Sequence, residues 1–176
     1  MYYKIFFNIL LILLISVFQI SFINNLPSFF SQINLFFIVL IFVLSLTNFE
    51  YTVWWTVGFG FMLDVFSFNY FGVYLLSYFF TIIFINYLYK NYLTDRSLYS
   101  FSILIVVFLV FYELVSKIFF YILYSINNQD IFFLTSKIFW MNIFSSLVIN
   151  LFAMSILFYV VSLLSEKLKP VFLIKK

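Results

Sequence analysis

Asp64 is a carboxylate set among glycines, in the stretch where this chain departs furthest from an apolar background. All three glycines, Gly58, Gly60 and Gly72, fall within fifteen positions of one another. Stepping back by four from Asp64 gives Gly60, Thr56 and Thr52, and Ser67 follows about one turn later. At 3.6 residues per turn these positions form a small, polar stripe along one helix face. Acidic groups inside an apolar helix cost about 2.5 to 3.5 kcal/mol on insertion scales, so Asp64 must meet a partner or water. Two roles fit: it braces the turn at Gly72 through backbone N–H groups, or it belongs to a contact with another protein.

The other charged pair within an apolar run is Glu113 and Lys117, spaced i, i+4 with the acid first, the order that pairs favourably on a helix. The expectation is mutual neutralisation, with Lys117 also able to reach towards the membrane surface along its apolar stem. Asn142, Ser146 and Asn150 recur every four residues, and Asn8 and Gln19 share nearly one face of the first apolar run. Both sets read as hydrogen-bonding seams between helices, of the kind worth about 0.6 kcal/mol per bond in membranes.

None of these groups has the spacing of a catalytic or metal motif. The chain contains neither Cys nor His, which removes thiolate and imidazole metal ligands and both Ser/His and Cys/His catalysis. With only 6 Asp and Glu, scattered through the chain, no carboxylate cluster can be assembled from neighbouring positions. The expectation is a chain with no enzymatic activity, no metal and no cofactor.

The elements that carry these residues are set by composition. Hydrophobic residues make up 66% of the 176 residues and charged residues only 9%, against roughly 25% charged in soluble domains, so lipid must replace water around most of the surface. The 30 Phe and 14 Tyr look like codon bias acting on acceptable apolar positions. A net charge of +3 forms no basic stripe, which argues against nucleic acid.

Apolar runs of about twenty residues match a hydrocarbon core of about 30 Å. They predict an all-α, polytopic membrane protein of six transmembrane helices in a single domain, 1–176, with spans at about 5–23, 30–47, 51–68, 70–89, 98–126 and 138–164. The first run is read as a retained span, since no small-x-small cleavage site follows it. The fifth is longer than the bilayer requires and should tilt or protrude. Asn127, Asn128, Gln129 and Asp130 should end it, and the tail bearing Glu166, Lys167, Lys169, Pro170, Lys175 and Lys176 should be solvated.

With six spans, Lys4, Lys90, Arg96, Lys167, Lys169, Lys175 and Lys176 share one side, and Lys137 lies clearly on the other. Basic loops stay cytoplasmic, so both termini are expected inside. Trp54, Trp55, Trp140 and several Tyr near helix ends fit interfacial belts.

The run Gly58-Phe59-Gly60-Phe61-Met62-Leu63-Asp64, followed by Gly72 and an apolar helix ending in Tyr and Lys, resembles the central signature of the rod shape-determining MreD family. Length, short loops and a basic C-terminal end are similar too. Two features depart from the family pattern: Ile33-Asn34 stands where members often carry Pro followed by Asp or Asn, and Phe61 where Leu is commoner.

The resemblance implies a multi-pass subunit of the bacterial inner membrane that scaffolds lateral wall elongation. Its partners would be an MreC-like single-span protein, an MreB-like filament and the wall polymerase and transpeptidase. On this reading Gly58, Gly60, Asp64, Ser67, Gly72, Glu113 and Lys117 are structural or partner-contact residues, and the Thr52 to Ser67 stripe builds helix packing or an outward cavity.

That family's fold looks similar to the substrate-binding membrane subunits of energy-coupling-factor transporters, which makes substrate capture the alternative. Those subunits dock through small residues on the first helix. Here Ala153 is the only Ala, and Ser16 and Ser21 are the only small residues between positions 6 and 22.

Overall fold

The computed structural model describes residues 2–27, 29–67, 70–93, 97–126 and 137–164. They form six α-helices: α1 (Tyr2–Ser21), α2 (Leu35–Leu46), α3 (Phe49–Phe66), α4 (Val73–Asn91), α5 (Leu98–Ile126) and α6 (Lys137–Leu164). Two single 3-10 turns, Ile23–Asn25 and Phe30–Gln32, lie between α1 and α2, and no strand occurs among the described residues. The expectations for Arg96, for Asn127 to Asp130 and for the tail from Glu166 onward fall outside the described residues.

Among the described residues, four segments are long and apolar enough to cross a bilayer: Ile5–Asn25, Val73–Asn91, Leu98–Leu123 and Trp140–Leu163. Their outward faces carry large apolar side chains such as Phe6, Leu14, Phe80, Ile118, Phe144 and Phe152, as an acyl-chain environment requires. The remaining two helices differ for separate reasons. In α3 the threonines, glycines and Asp64 dilute the apolar content, whereas α2 is short.

The second predicted span, 30–47, is not one continuous helix. Phe30–Gln32 forms a 3-10 turn, Ile33 and Asn34 are extended, and only then does α2 run for 12 residues, about 18 Å. An element this short need not reach both faces of a bilayer if protein surrounds it. Phe36, Phe37, Ile38, Leu40, Ile41, Phe42, Leu44 and Ser45 are all buried, on every side of the helix, which marks α2 as the central element.

Around it lies an aromatic core. Phe36 stacks on Phe59 of α3 at 4.5 Å, Phe37 meets Phe108 at 4.6 Å and Tyr112 at 4.9 Å on α5, and Phe42 reaches Phe101 at 5.1 Å. Phe101 in turn contacts Phe158 of α6 at 5.2 Å. Offset and edge-on aromatic pairs of this kind each add about 0.5 to 1.5 kcal/mol beyond burial.

Trp55 belongs to this core and not to an interfacial belt: it is 7% exposed and packs edge-on against Phe59, while its neighbour Trp54 is 75% exposed. One residue of sequence turns the helix by about 100°, so adjacent tryptophans cannot share a face.

The third and fourth predicted spans also shift at their shared turn. Helix α3 stops at Phe66 with Ser67 extended, and α4 starts at Val73 because Gly72 sits in the left-handed region at φ 95°. Tyr70 and Phe71 are therefore part of the turn and not of the helix. The two helices form an antiparallel hairpin and pack against each other more extensively than any other helix pair among the described residues.

Candidate functional site

Every glycine of the central stretch has a definite task. Gly60 approaches α4 so closely that a β-carbon would lie 2.6 Å from the Leu75 Cα, a distance side chains do not tolerate. Gly58 faces α1, where a β-carbon would meet the Ile12 side chain at 3.0 Å. Gly72 supplies the positive φ that reverses the chain.

Asp64 completes this hairpin. Its Oδ1 accepts the Tyr74 backbone N–H at 3.0 Å and its Oδ2 the Leu75 N–H at 3.0 Å. With Gly72 as the N-cap of α4, these are two of the four N–H groups that a helix start leaves without an internal acceptor. The carboxylate of one helix thus caps the next and also meets the positive end of its dipole. At 3% exposure, with both oxygens engaged, Asp64 braces the turn. Ser67 closes the same corner, its backbone N–H donating to Leu63 O at 2.8 Å and its hydroxyl to Asp64 O at 3.3 Å.

The rest of the stripe is packing. Thr52 and Thr56 are fully buried, and their hydroxyls donate to Asn48 O at 3.1 Å and Thr52 O at 2.8 Å, one turn back. On α4, Ser77 and Thr81 do the same towards Val73 O and Ser77 O. Along the stripe, small residues bring helices together, as membrane packing favours.

A cavity of about 370 Å³ lies elsewhere, between α1, α2, α5 and α6. The broken segment before α2 lines it through Ser31, Gln32, Ile33 and Asn34, with Gln19 of α1 and Asn24 of the first 3-10 turn. Helix α5 contributes Leu109, Glu113 and Lys117, and α6 contributes Asn142, Ile143 and Ser146. Glu113 and Lys117 therefore face an internal polar space shared with other helices, and the Lys117 charge acts on the Glu113 carboxylate. Both side chains are half-buried.

Two amide side chains keep the cavity wall in place. Gln19 donates from Nε2 to Ile33 O at 2.9 Å and to Asn24 Oδ1 at 3.0 Å, and its Oε1 accepts the Leu35 N–H at 2.9 Å. Asn150, fully buried on α6, accepts the Asn34 N–H on Oδ1 at 2.8 Å and donates from Nδ2 to Gln32 O at 2.8 Å. Non-helical backbone survives at membrane depth only where protein or trapped water satisfies it. Here Gln19 and Asn150 satisfy it, which explains why the chain can afford to break its second span.

Of the α6 series, Asn150 makes the expected bonds outside its helix, to the segment before α2, while Ser146 bonds Asn150 within α6 and Asn142 lines the cavity. The joint role of Gln32 and Asn34 was not legible, because their shared partner, Asn150, is more than a hundred residues away. A second cleft of about 410 Å³ sits at the other end of the bundle, lined by Thr47, Asn48, Glu50, Asn86, Tyr89 and Lys90. Among the described residues, no group of three or more carboxylates is placed to hold a metal ion.

The described residues are all-helical, and four of their helices are long and apolar enough to span, which defines the class as a membrane protein. Comparison with protein-family models, with curated proteins and with solved structures finds no match to this chain.

Proposed function

We propose that this chain is a non-enzymatic scaffold subunit of the bacterial lateral wall-elongation machinery, similar to the MreD family. It would cross the inner membrane six times with both termini cytoplasmic. The observation that carries the reading is the use made of the Gly60, Asp64, Gly72 run: all three residues are spent on locking α3 to α4. A rigid hairpin with no group left over for reaction suits a protein that presents helix faces to partners. The absence of His and Cys from the sequence points the same way.

The test is depletion of the protein in its native cell, together with co-purification. The expected result is rounding of the cells and recovery of a coiled-coil single-span partner with the tagged chain. Unchanged cell shape together with no such partner would overturn the proposal.

A second reading, substrate capture in the manner of energy-coupling-factor transporter subunits, is favoured by the polar cavity beside α2. Against it, α1 offers large apolar residues such as Phe6, Phe7, Leu10 and Leu14 on its open face, a poor surface for close helix docking. Co-purification of a transporter ATPase with the tagged chain decides between the two.

A further inference from the structure

In the cavity between α1, α2, α5 and α6 the two charges already answer to neighbours: Lys117 is engaged, and its charge acts on the Glu113 carboxylate. What the cavity offers a guest is therefore its amides. Asn24, Asn34 and Asn142 line it, each from a different element: the first 3-10 turn, the extended pair before α2, and α6. A volume of about 370 Å³ is at the small end of the range for ligand sites, roughly 300 to 1,000 Å³.

The orientation of these amides follows from their partners. Gln19 spends its Oε1 on the Leu35 N–H, so it is Nε2 that meets Asn24, and Asn24 must answer with its oxygen. The Asn24 NH2 is then the end left over. Asn34 likewise accepts on Oδ1, from the Tyr78 hydroxyl at 3.4 Å, which leaves its Nδ2 without an acceptor among the described residues. The Asn142 side-chain amide bonds to none of those residues. Because Asn24 and Asn34 are held through their oxygens, two N–H donors are in place before anything binds, which spares the cost of ordering them.

This arrangement discriminates among ligand classes. An ion would disturb the balance between Glu113 and Lys117, and an apolar molecule would take water from the amide donors without replacing it, which is costly. A neutral molecule with oxygens spaced around its rim supplies an acceptor to each of the three elements. Its hydroxyls can also donate to the Asn142 carbonyl oxygen. A pyranose combines such a rim with an apolar C–H face, which suits the lining residues Phe37, Leu109 and Ile143.

We propose that this cavity binds a single uncharged hexopyranose ring, held by the side-chain amides of Asn24, Asn34 and Asn142. Two sources carry this chemistry: a free sugar, and the headgroup of a neutral glycolipid. The inference goes beyond the scaffold reading, and it is measured on the purified chain without partners, so either can fail while the other stands.

The full chain is reconstituted into nanodiscs of phosphatidylcholine, whose headgroup has neither N–H nor hydroxyl. In the first arm, binding of glucose, galactose and mannose is followed by saturation-transfer NMR. In the second, retention of monoglucosyl-diacylglycerol against phosphatidylcholine is read by native mass spectrometry. Saturable binding of a hexose in the first arm assigns the free sugar, and selective retention in the second assigns the headgroup. Glucuronate and protonated glucosamine should bind more weakly than the neutral sugars.

In either case Asn24→Asp keeps the oxygen that Gln19 needs but replaces the NH2, and should weaken binding about threefold or more, the worth of one hydrogen bond. Asn142→Leu should do the same and leave the unfolding midpoint unchanged, since that exposed amide has no partner to lose among the described residues. Asn142→Trp fills the cavity from its wall and should abolish binding; it serves as the test should the Asn24 variant fail to fold. Failure of both arms, a charged sugar that binds as well as its neutral parent, or binding that survives Asn142→Trp undiminished, would overturn the proposal.

Discussion

Gly60 of α3 and Leu75 of α4 meet backbone to backbone: a β-carbon on residue 60 would stand 2.6 Å from the Leu75 Cα. Because the obstacle is main chain, it cannot swing aside, and the helices must move apart to admit even a methyl group. Their separation would also carry Tyr74 and Leu75 away from the Asp64 carboxylate, since all three lie at the same corner.

Gly60→Ala should therefore destabilise the protein by about 1 to 3 kcal/mol, the usual cost of overpacking a tight interior. Gly58→Ala is the internal control. Its new methyl would meet the Ile12 side chain, Cδ1 and Cγ2 each at 3.0 Å, and no main chain, so a shift of a few tenths of an ångström relieves it. Thermal unfolding in detergent should show a clear drop for Gly60→Ala and a small one for Gly58→Ala; equal effects would refute the backbone contact.

Asp64 yields a graded prediction. Asp64→Leu removes both acceptors and leaves two N–H groups at the start of α4 without them, each costing about 1 to 3 kcal/mol if buried. Asp64→Asn keeps one acceptor but turns an amide donor towards a second N–H, so its loss should be intermediate. Unfolding midpoints should fall in the order wild type, Asn, Leu. If both variants kept wild-type stability and only partner recovery fell, the bracing role would be wrong.

How much of this could be read from the chain itself differs by element. Helices α5 and α6 were legible almost to the residue, because long apolar runs flanked by polar clusters leave few alternatives. The α3–α4 hairpin was legible because glycine is scarce here, so three within fifteen positions stand out.

The aromatic core was not: with 30 Phe in the chain, nothing local separates buried Phe37 from exposed Phe30. Nor was the break before α2, since it depends on amide groups supplied by α1 and α6. Of the cavity, the Glu113 and Lys117 spacing and the α6 seam were visible, but the fact that they face one space was not.

Gly72 tests conformation in isolation. A β-carbon there would meet nothing within 4 Å, so any penalty comes from φ 95° alone. Gly72→Ala should cost about 1 to 2 kcal/mol, the left-handed penalty for an ordinary residue, and Gly72→Asn less, because asparagine visits that region more readily. The comparison is made by unfolding midpoint, and an alanine variant as stable as wild type would mean that the turn is built differently.

The break before α2 offers the sharpest separation between local and long-range control. Gln19 holds Ile33 O and the Leu35 N–H, and Asn150 holds the Asn34 N–H and Gln32 O, so each amide spans the extended pair from a different helix. Replacing Gln19 by Leu leaves an apolar side chain of similar reach but strands a donor and an acceptor of the main chain. These must then find water from the adjoining cavity or open.

Amide hydrogen exchange at Leu35 should quicken at least tenfold in Gln19→Leu, while Asn34 stays protected through Asn150. The pattern should reverse in Asn150→Leu, with Asn34 exposed and Leu35 retained. Far-UV dichroism should change little in either variant, since α2 is otherwise enclosed by its aromatic neighbours. Uniform loss of protection at both amides in each variant would mean that the segment opens as one unit, and that the two side chains do not act independently.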